Sequence, residues 1–156
     1  MPVATITLPD RFPLVLAAGI LTYCVNIWQA RLVGVLRKKA GIEYPQAYAE
    51  KAQVEGTESL YPMKFNCAQR AHQNTIETLP HVLFGLLVTG IRYPTTAAVL
   101  GLIYSFGRIM YTLGYSSGIP KRRFSKGGIL GLGANYGIFL ASTWTVGEML
   151  WENFGY

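Results

Sequence analysis

Four apolar runs, at about residues 12–36, 66–91, 94–117 and 127–151, occupy most of this 156-residue chain. Each is close to the roughly 20 residues that carry a helix across a bilayer. Hydrocarbon offers no water to a backbone amide, so such segments must close their hydrogen bonds among themselves, as helices or as a barrel. None of the runs alternates as a barrel strand does. The expected fold is an all-α integral membrane protein, a bundle of four transmembrane helices forming one domain over residues 1–156. Charge agrees with this: only 14% of the residues are charged, against about 25% in a soluble domain.

The net charge of +6 raises nucleic acid as a partner, and the positions of the cations argue against it. They gather at the ends of the apolar runs, as "LRKKAG" (Leu36 to Gly41) and "PKRRFSK" (Pro120 to Lys126), which is how membrane proteins distribute lysine and arginine. Two polar connections, 38–64 and 118–126, share Arg37, Lys38, Lys39, Lys51, Lys64, Lys121, Arg122, Arg123 and Lys126. The opposite side has Arg11 and Arg92. This asymmetry puts both loops in the cytosol and both termini across the membrane. The first run lacks a basic leading flank and is followed by cations, so it reads as a retained helix and not a cleaved signal. Cys24 and Cys67 lie inside apolar or helical segments without framework spacing, and are expected as buried free thiols with neither disulfide nor metal.

In the last run, Gly127, Gly131, Gly133 and Gly137 carry spacings of four that admit close approach of another helix. Polar residues elsewhere form stripes. At about 100° per residue, Arg70, Gln73, Asn74 and Glu77 fall on one face of the second helix. Tyr104, Arg108, Tyr111 and Tyr115 share a face of the third, and Asn26, Gln29 and Arg37 a face of the first. Arg70 lies about 31 Å along its helix from Ile91, so the stripes converge in the cytosolic half of the bundle. Ionisable groups at membrane depth are costly and mark functional sites. Several cations, one carboxylate, amides and phenols suit a small zwitterion with excess negative charge, since guanidinium forks bind carboxylates and Glu77 can take an ammonium. Glutathione fits this inventory, and so do other acidic peptides.

The choice among them comes from resemblance. "FNCAQRAHQNTIETLP" (Phe65 to Pro80), "GRIMYTLGY" (Gly107 to Tyr115) and "RKKAGIEYP" (Arg37 to Pro45) resemble the MAPEG family, the membrane-associated proteins of eicosanoid and glutathione metabolism. The nearest branch is the microsomal glutathione S-transferase 3 type. The likeness runs from about residue 12 to 145.

That resemblance implies a homotrimer of four-helix subunits in the endoplasmic reticulum or another endomembrane. Glutathione, as co-substrate, would sit between adjacent subunits and open to the cytosol, while a lipophilic electrophile or lipid hydroperoxide arrives from the membrane lipids. Carried over residue by residue, Arg37, Arg70, His72, Asn74, Glu77, Arg108, Tyr111 and Tyr115 become glutathione-binding positions. Arg122 becomes the catalytic residue, the cation that holds the glutathione thiolate. On its own, His72 reads as helix packing. Thr78 and Leu79 stand where relatives carry a tyrosine. Arg123 competes with Arg122 for the catalytic position, and Arg31 competes with Arg37.

The activity implied is that of a glutathione transferase and peroxidase. One rival is a non-catalytic lipid-binding adaptor of the 5-lipoxygenase-activating type, which is expected to lack the arginines found here. The other, a transporter, would need polar groups through the full depth. The stretches "HVLFGLLVTGI" and "PTTAAVLGLI" do not supply them.

Overall fold

The computed structural model describes residues 7–155, the side chain of Lys126 excepted. Residues 1–6 and 156, which the sequence reading includes in the domain and its lumenal ends, lie outside the described residues. The order is α1 (Phe12–Ala40), a short α2 (Lys51–Glu55), α3 (Tyr61–Arg92), α4 (Pro94–Tyr115), a 3-10 segment (Pro120–Gly127) and α5 (Gly128–Phe154).

Helix boundaries differ from the expected ones for local reasons. α1 runs on to Ala40 because Arg37, Lys38 and Lys39 fill its last turn, where cations are favoured by the helix dipole. Gly41 then stops it at φ 67°, a left-handed conformation that glycine adopts at little cost. α3 begins before Asn66, with Pro62 in its first turn, a place where a missing N–H costs nothing. The connection 38–64, expected as loop, contains α2, whose N-terminus is closed by a reciprocal Glu50–Gln53 capping box. The expected loop 118–126 is largely the 3-10 segment.

α1, α4 and α5 are each long and apolar enough to cross a membrane. α3 is longer, with 32 residues, but carries Lys64, Arg70 and Glu77. Only Tyr93 separates α3 from α4, so the two are antiparallel neighbours, as the short connection predicts. α4 packs on α1, α3 and α5, and α3 also touches α1 and α5. One buried cluster joins Val15, Val82, Leu86, Tyr104 and Ile138. A second, nearer the basic end, joins Val33, Leu36, Ile42, Phe65 and Ala68.

Glycine sets the closest contact. A Cβ on Gly107 would lie 2.0 Å from the Gly131 backbone nitrogen, so α4 and α5 touch backbone to backbone there. Gly133, by contrast, faces open space. At the other end of the bundle, Arg92 Nη1 donates to Glu152 Oε1 at 2.6 Å and the Tyr93 hydroxyl donates to Glu148 Oε1 at 2.8 Å. These bonds fasten the α3–α4 bend to the end of α5. The outer faces stay greasy, with Phe84, Trp144 and Trp151 exposed, as expected for a surface that meets lipid or a partner. Cys67 is buried and free as expected. Cys24 is free but exposed.

Candidate functional site

The stripe on α3 is met from α4 by one buried arginine. Arg108 donates from Nη1 to Asn74 Oδ1 at 3.0 Å, from Nη2 to the Ala71 carbonyl at 3.1 Å, and from Nε to Thr75 Oγ1 at 3.0 Å. Its guanidinium also lies 4.5 Å from the centre of the Tyr111 ring. Among the described residues no carboxylate pairs with it. All its acceptors are neutral, so its charge is held in place without being cancelled.

Thr75 is the hub of this arrangement. Its hydroxyl also accepts from Gln29 Nε2 of α1 at 2.9 Å, and Gln29 reaches Thr112 of α4 at 2.6 Å. Gln29 is fully buried. Three helices are therefore joined by a chain of neutral hydrogen bonds that ends on the arginine. The sequence reading placed Gln29 on a polar face but missed Thr75 and Thr112. The available signal was a hydroxyl directly beside Asn74, at the edge of the stripe.

Further out on α3, Arg70 Nη1 lies 2.8 Å from Glu77 Oε1, with both side chains about half exposed. Tyr48, from the connection after α1, arches over this face, and its hydroxyl donates to Gln73 Oε1. Partial burial raises the Tyr48 pKa above the usual phenol value, while the nearby Arg70 works in the opposite direction. Tyr48 was not foreseen, because its place depends on how the connection folds. Asn66 holds that connection through both backbone groups of Ala49, at 2.7 and 2.9 Å.

Arg37 holds it as well. It donates to the Gln46 carbonyl at 2.6 Å, and its guanidinium lies 4.2 Å from the Tyr44 ring centre and 4.6 Å from that of Phe65. Arg37 is thus buried in its own loop and does not reach the stripe. It acts on the site through the loop that carries Tyr48. Arg31, its competitor in the sequence, is exposed on α1.

Tyr111 and Tyr115 meet edge to face at 5.7 Å, and Phe124 closes on Tyr111 at 5.9 Å. Arg123 belongs to this group: its guanidinium lies 5.6 Å from the Tyr115 ring centre and 4.8 Å from that of Phe124. Arg122 lines a cavity of about 540 Å³ with Met110, Leu113 and Ser117. A Cβ on Gly114 would lie 2.2 Å from the Arg122 carbonyl oxygen, so the 3-10 segment rests directly on α4.

His72 is half-buried on another side of α3, and its Nε2 has no hydrogen-bond partner among the described residues. Thr78, standing where relatives are expected to carry tyrosine, bonds at 2.9 Å to the hydroxyl of Tyr104 on α4. No cluster of three or more metal-ligating side chains occurs among the described residues.

The structure therefore brings together Arg70, Asn74, Glu77, Arg108, Tyr111 and Tyr115, adds Tyr48 and Arg123, and leaves Arg37, His72 and Arg122 to the side. Such a site can hold an anionic molecule against fixed cations, offer one carboxylate to an ammonium, and stabilise a further negative charge near the tyrosines.

Two comparisons bear on this arrangement. The profile of the MAPEG family matches residues 15–144. An uncharacterized protein of Synechocystis sp. is 34% identical over 88 residues, covering 54% of this chain and 64% of that protein. The chain thus spans less than two thirds of the length of the curated relative it matches.

Proposed function

The chain belongs to the MAPEG family of multi-pass membrane proteins, and on that premise we propose that it is a glutathione transferase with peroxidase activity. Its second substrates are lipophilic electrophiles or lipid hydroperoxides. The observation that carries this reading is the convergence of Arg108, held uncancelled by neutral acceptors, with the Arg70–Glu77 pair. Glutathione offers two carboxylates to the arginines and an ammonium to Glu77, and it can replace each member of that pair as the other's partner. Asn74 and Tyr48 are within reach to orient the peptide groups.

The reactive species is the thiolate, because a free thiol with a pKa near 8.5 is mostly protonated at neutral pH. A guanidinium beside the sulfur favours the anion through charge and hydrogen bonding. The sequence offers Arg122 for this role, with Arg123 as the alternative. The contacts of Arg123 with Tyr115 and Phe124 support Arg123 within one subunit. Arg122 would reach the sulfur only from a neighbouring copy. In conjugation, the sulfur pair forms a bond to the electrophilic carbon, the leaving group departs with its electrons, and a proton from solvent completes it. In the peroxidase reaction the thiolate attacks the outer peroxide oxygen and the O–O bond breaks, leaving a sulfenic acid and an alkoxide that takes a proton from solvent to become the alcohol. The thiol of a second glutathione then displaces water from the sulfenic acid to give the disulfide.

The half-open Arg70–Glu77 face supports a site completed by an adjacent subunit, and the resemblance to the family makes that assembly a homotrimer. The basic ends of the bundle support cytosolic placement of residues 38–64 and 118–126 in an endomembrane. One observation favours the adaptor alternative: Arg37 is held in its own loop, between Tyr44 and Phe65, and not at the stripe. Titrating the detergent-purified protein with glutathione, while following thiolate absorbance in the ultraviolet near neutral pH, separates the two. Saturable thiolate supports the transferase, and an absence of glutathione binding favours the adaptor.

A further inference from the structure

The outer face of α5 carries a notch at the end of the bundle opposite the basic loops. Gly147 is its floor, where a missing side chain leaves open space. Trp144 and Trp151, three residues before it and four after, are its neighbours on the helix surface, and both are exposed. Glu148 and Glu152 complete the lining of this cavity of about 690 Å³. At about 100° per residue, Leu140, Trp144, Glu148 and Trp151 fall within about 80° of one another, so the notch continues into an apolar strip. Arg92, beside the notch, is about 33 Å along α3 from Arg70, which separates this place from the α3 stripe.

Two carboxylates share one cation here. Arg92 donates to Glu152 Oε1 at 2.6 Å and lies 4.0 Å from Glu148 Oε2. No other cation pairs with either carboxylate among the described residues. The group therefore keeps one negative charge in excess. Its hydrogen bonds are already supplied: both oxygens of Glu152 accept from Arg92, and the Tyr93 hydroxyl lies 2.8 and 2.6 Å from those of Glu148. What the notch still lacks is positive charge without N–H groups. A quaternary ammonium has that character, and the negative faces of tryptophan rings attract it.

The surroundings fix how such a cation arrives. Glu152 is two residues from the end of α5 at Phe154. Leu140 lies about 18 Å deeper along the helix, a step from the bilayer surface into hydrocarbon. Tryptophans near the end of a spanning helix sit at headgroup level. One molecule with a cation at one end and a chain at the other matches both. We propose that the notch binds the choline headgroup of a phosphatidylcholine molecule. The trimethylammonium lies between Trp144 and Trp151 against Glu148, and one acyl chain runs along Leu140. This lipid is a bound ligand and not a substrate, so the inference does not depend on glutathione.

The test uses the full-length protein purified in detergent. Native mass spectrometry counts the lipid retained per subunit on adding dioleoylphosphatidylcholine or dioleoylphosphatidylethanolamine, which differ only in the methyl groups on nitrogen. The choline lipid is expected to bind about three- to tenfold more tightly. Glu148→Gln, which keeps an acceptor for Tyr93, and Trp151→Leu should each reduce that preference, and Trp151→Phe should reduce it less. Gly147→Leu should weaken both lipids. Equal retention of the two lipids by the unaltered protein, or a preference that survives Glu148→Gln and both Trp151 variants, overturns the headgroup site. Undiminished binding of both lipids in Gly147→Leu places the lipid elsewhere, and a changed subunit count assigns the notch to a neighbouring copy; either overturns the seat. Free choline that binds as tightly as the lipid would make a soluble amine the ligand and overturn the assignment to lipid.

Discussion

Arg70 and Glu77, two turns apart on α3, form an ion pair at 2.8 Å on a half-open face. Each is the other's partner while the site is free, and each has the charge to bind one end of a zwitterion. An exposed pair of this kind adds little to stability, so its removal tests binding with little effect on folding.

Glu77→Gln is expected to weaken glutathione binding at least several-fold, with a smaller effect on an analogue lacking the amino group. Arg70→Ala should weaken both ligands. Isothermal titration of the two variants with the two ligands checks this, and equal losses for both ligands in Glu77→Gln would remove the carboxylate from ammonium recognition.

Arg123→Ala is expected to abolish thiolate formation while glutathione still binds, because its contacts with Tyr115 and Phe124 put it on the tyrosine face. Arg122→Ala should leave the thiolate signal largely intact. The reverse result would mean that the sulfur lies against the opposite side of α4, which in a trimer belongs to the next subunit.

Thr75→Val preserves shape and removes the hydroxyl that receives Gln29 and Arg108. Buried donors left without acceptors cost about 1–3 kcal/mol each. The variant should lose several degrees of thermal stability in detergent, and Arg108 should become less ordered. Gln29→Leu, which removes a donor and leaves Thr75 to accept from Arg108, should cost less. A thermal melt that ranks the two the other way would contradict the hub.

Gly107→Ala puts a methyl group against the Gly131 backbone, which cannot yield as a flexible side chain would. Overpacking of this kind costs about 1–3 kcal/mol, and the folded yield should fall. Gly133→Ala, in open space, should be neutral or slightly stabilising. Size-exclusion profiles after mild heating distinguish them.

Tyr48→Phe is expected to loosen glutathione binding modestly and to lower the melt only slightly, by the loss of its hydrogen bond to Gln73. Because burial raises the phenol pKa, the proton it donates to Gln73 is present throughout neutral pH. The contribution of Tyr48 to folding is therefore complete below about pH 10 and lost only as pH rises through the raised value. Affinity that changed with pH near neutrality, and lost that dependence in Tyr48→Phe, would contradict this.

The four apolar runs and the α3 stripe were legible in the sequence because hydropathy and helical period are local properties. Arg70 and Glu77 could be put on one face by counting, since a single helix brings them together. The fate of Arg37 could not be read this way. It shares a face with Gln29 on α1, yet the fold of residues 41–49 captures it between Tyr44 and Phe65. Nor could the sequence separate Arg122 from Arg123, because adjacent residues of a 3-10 turn point to different sides and its docking on α4 decides which side holds the tyrosines. Thr75 and Tyr48 acquired their roles only from partners 46 and 25 residues away. Sequence alone thus determined where the four long helices run, though not α2 or the 3-10 segment, and that charge collects at one end. Tertiary structure decided which charged groups face the site, because hydrogen bonding and stacking depend on neighbours that no local pattern specifies.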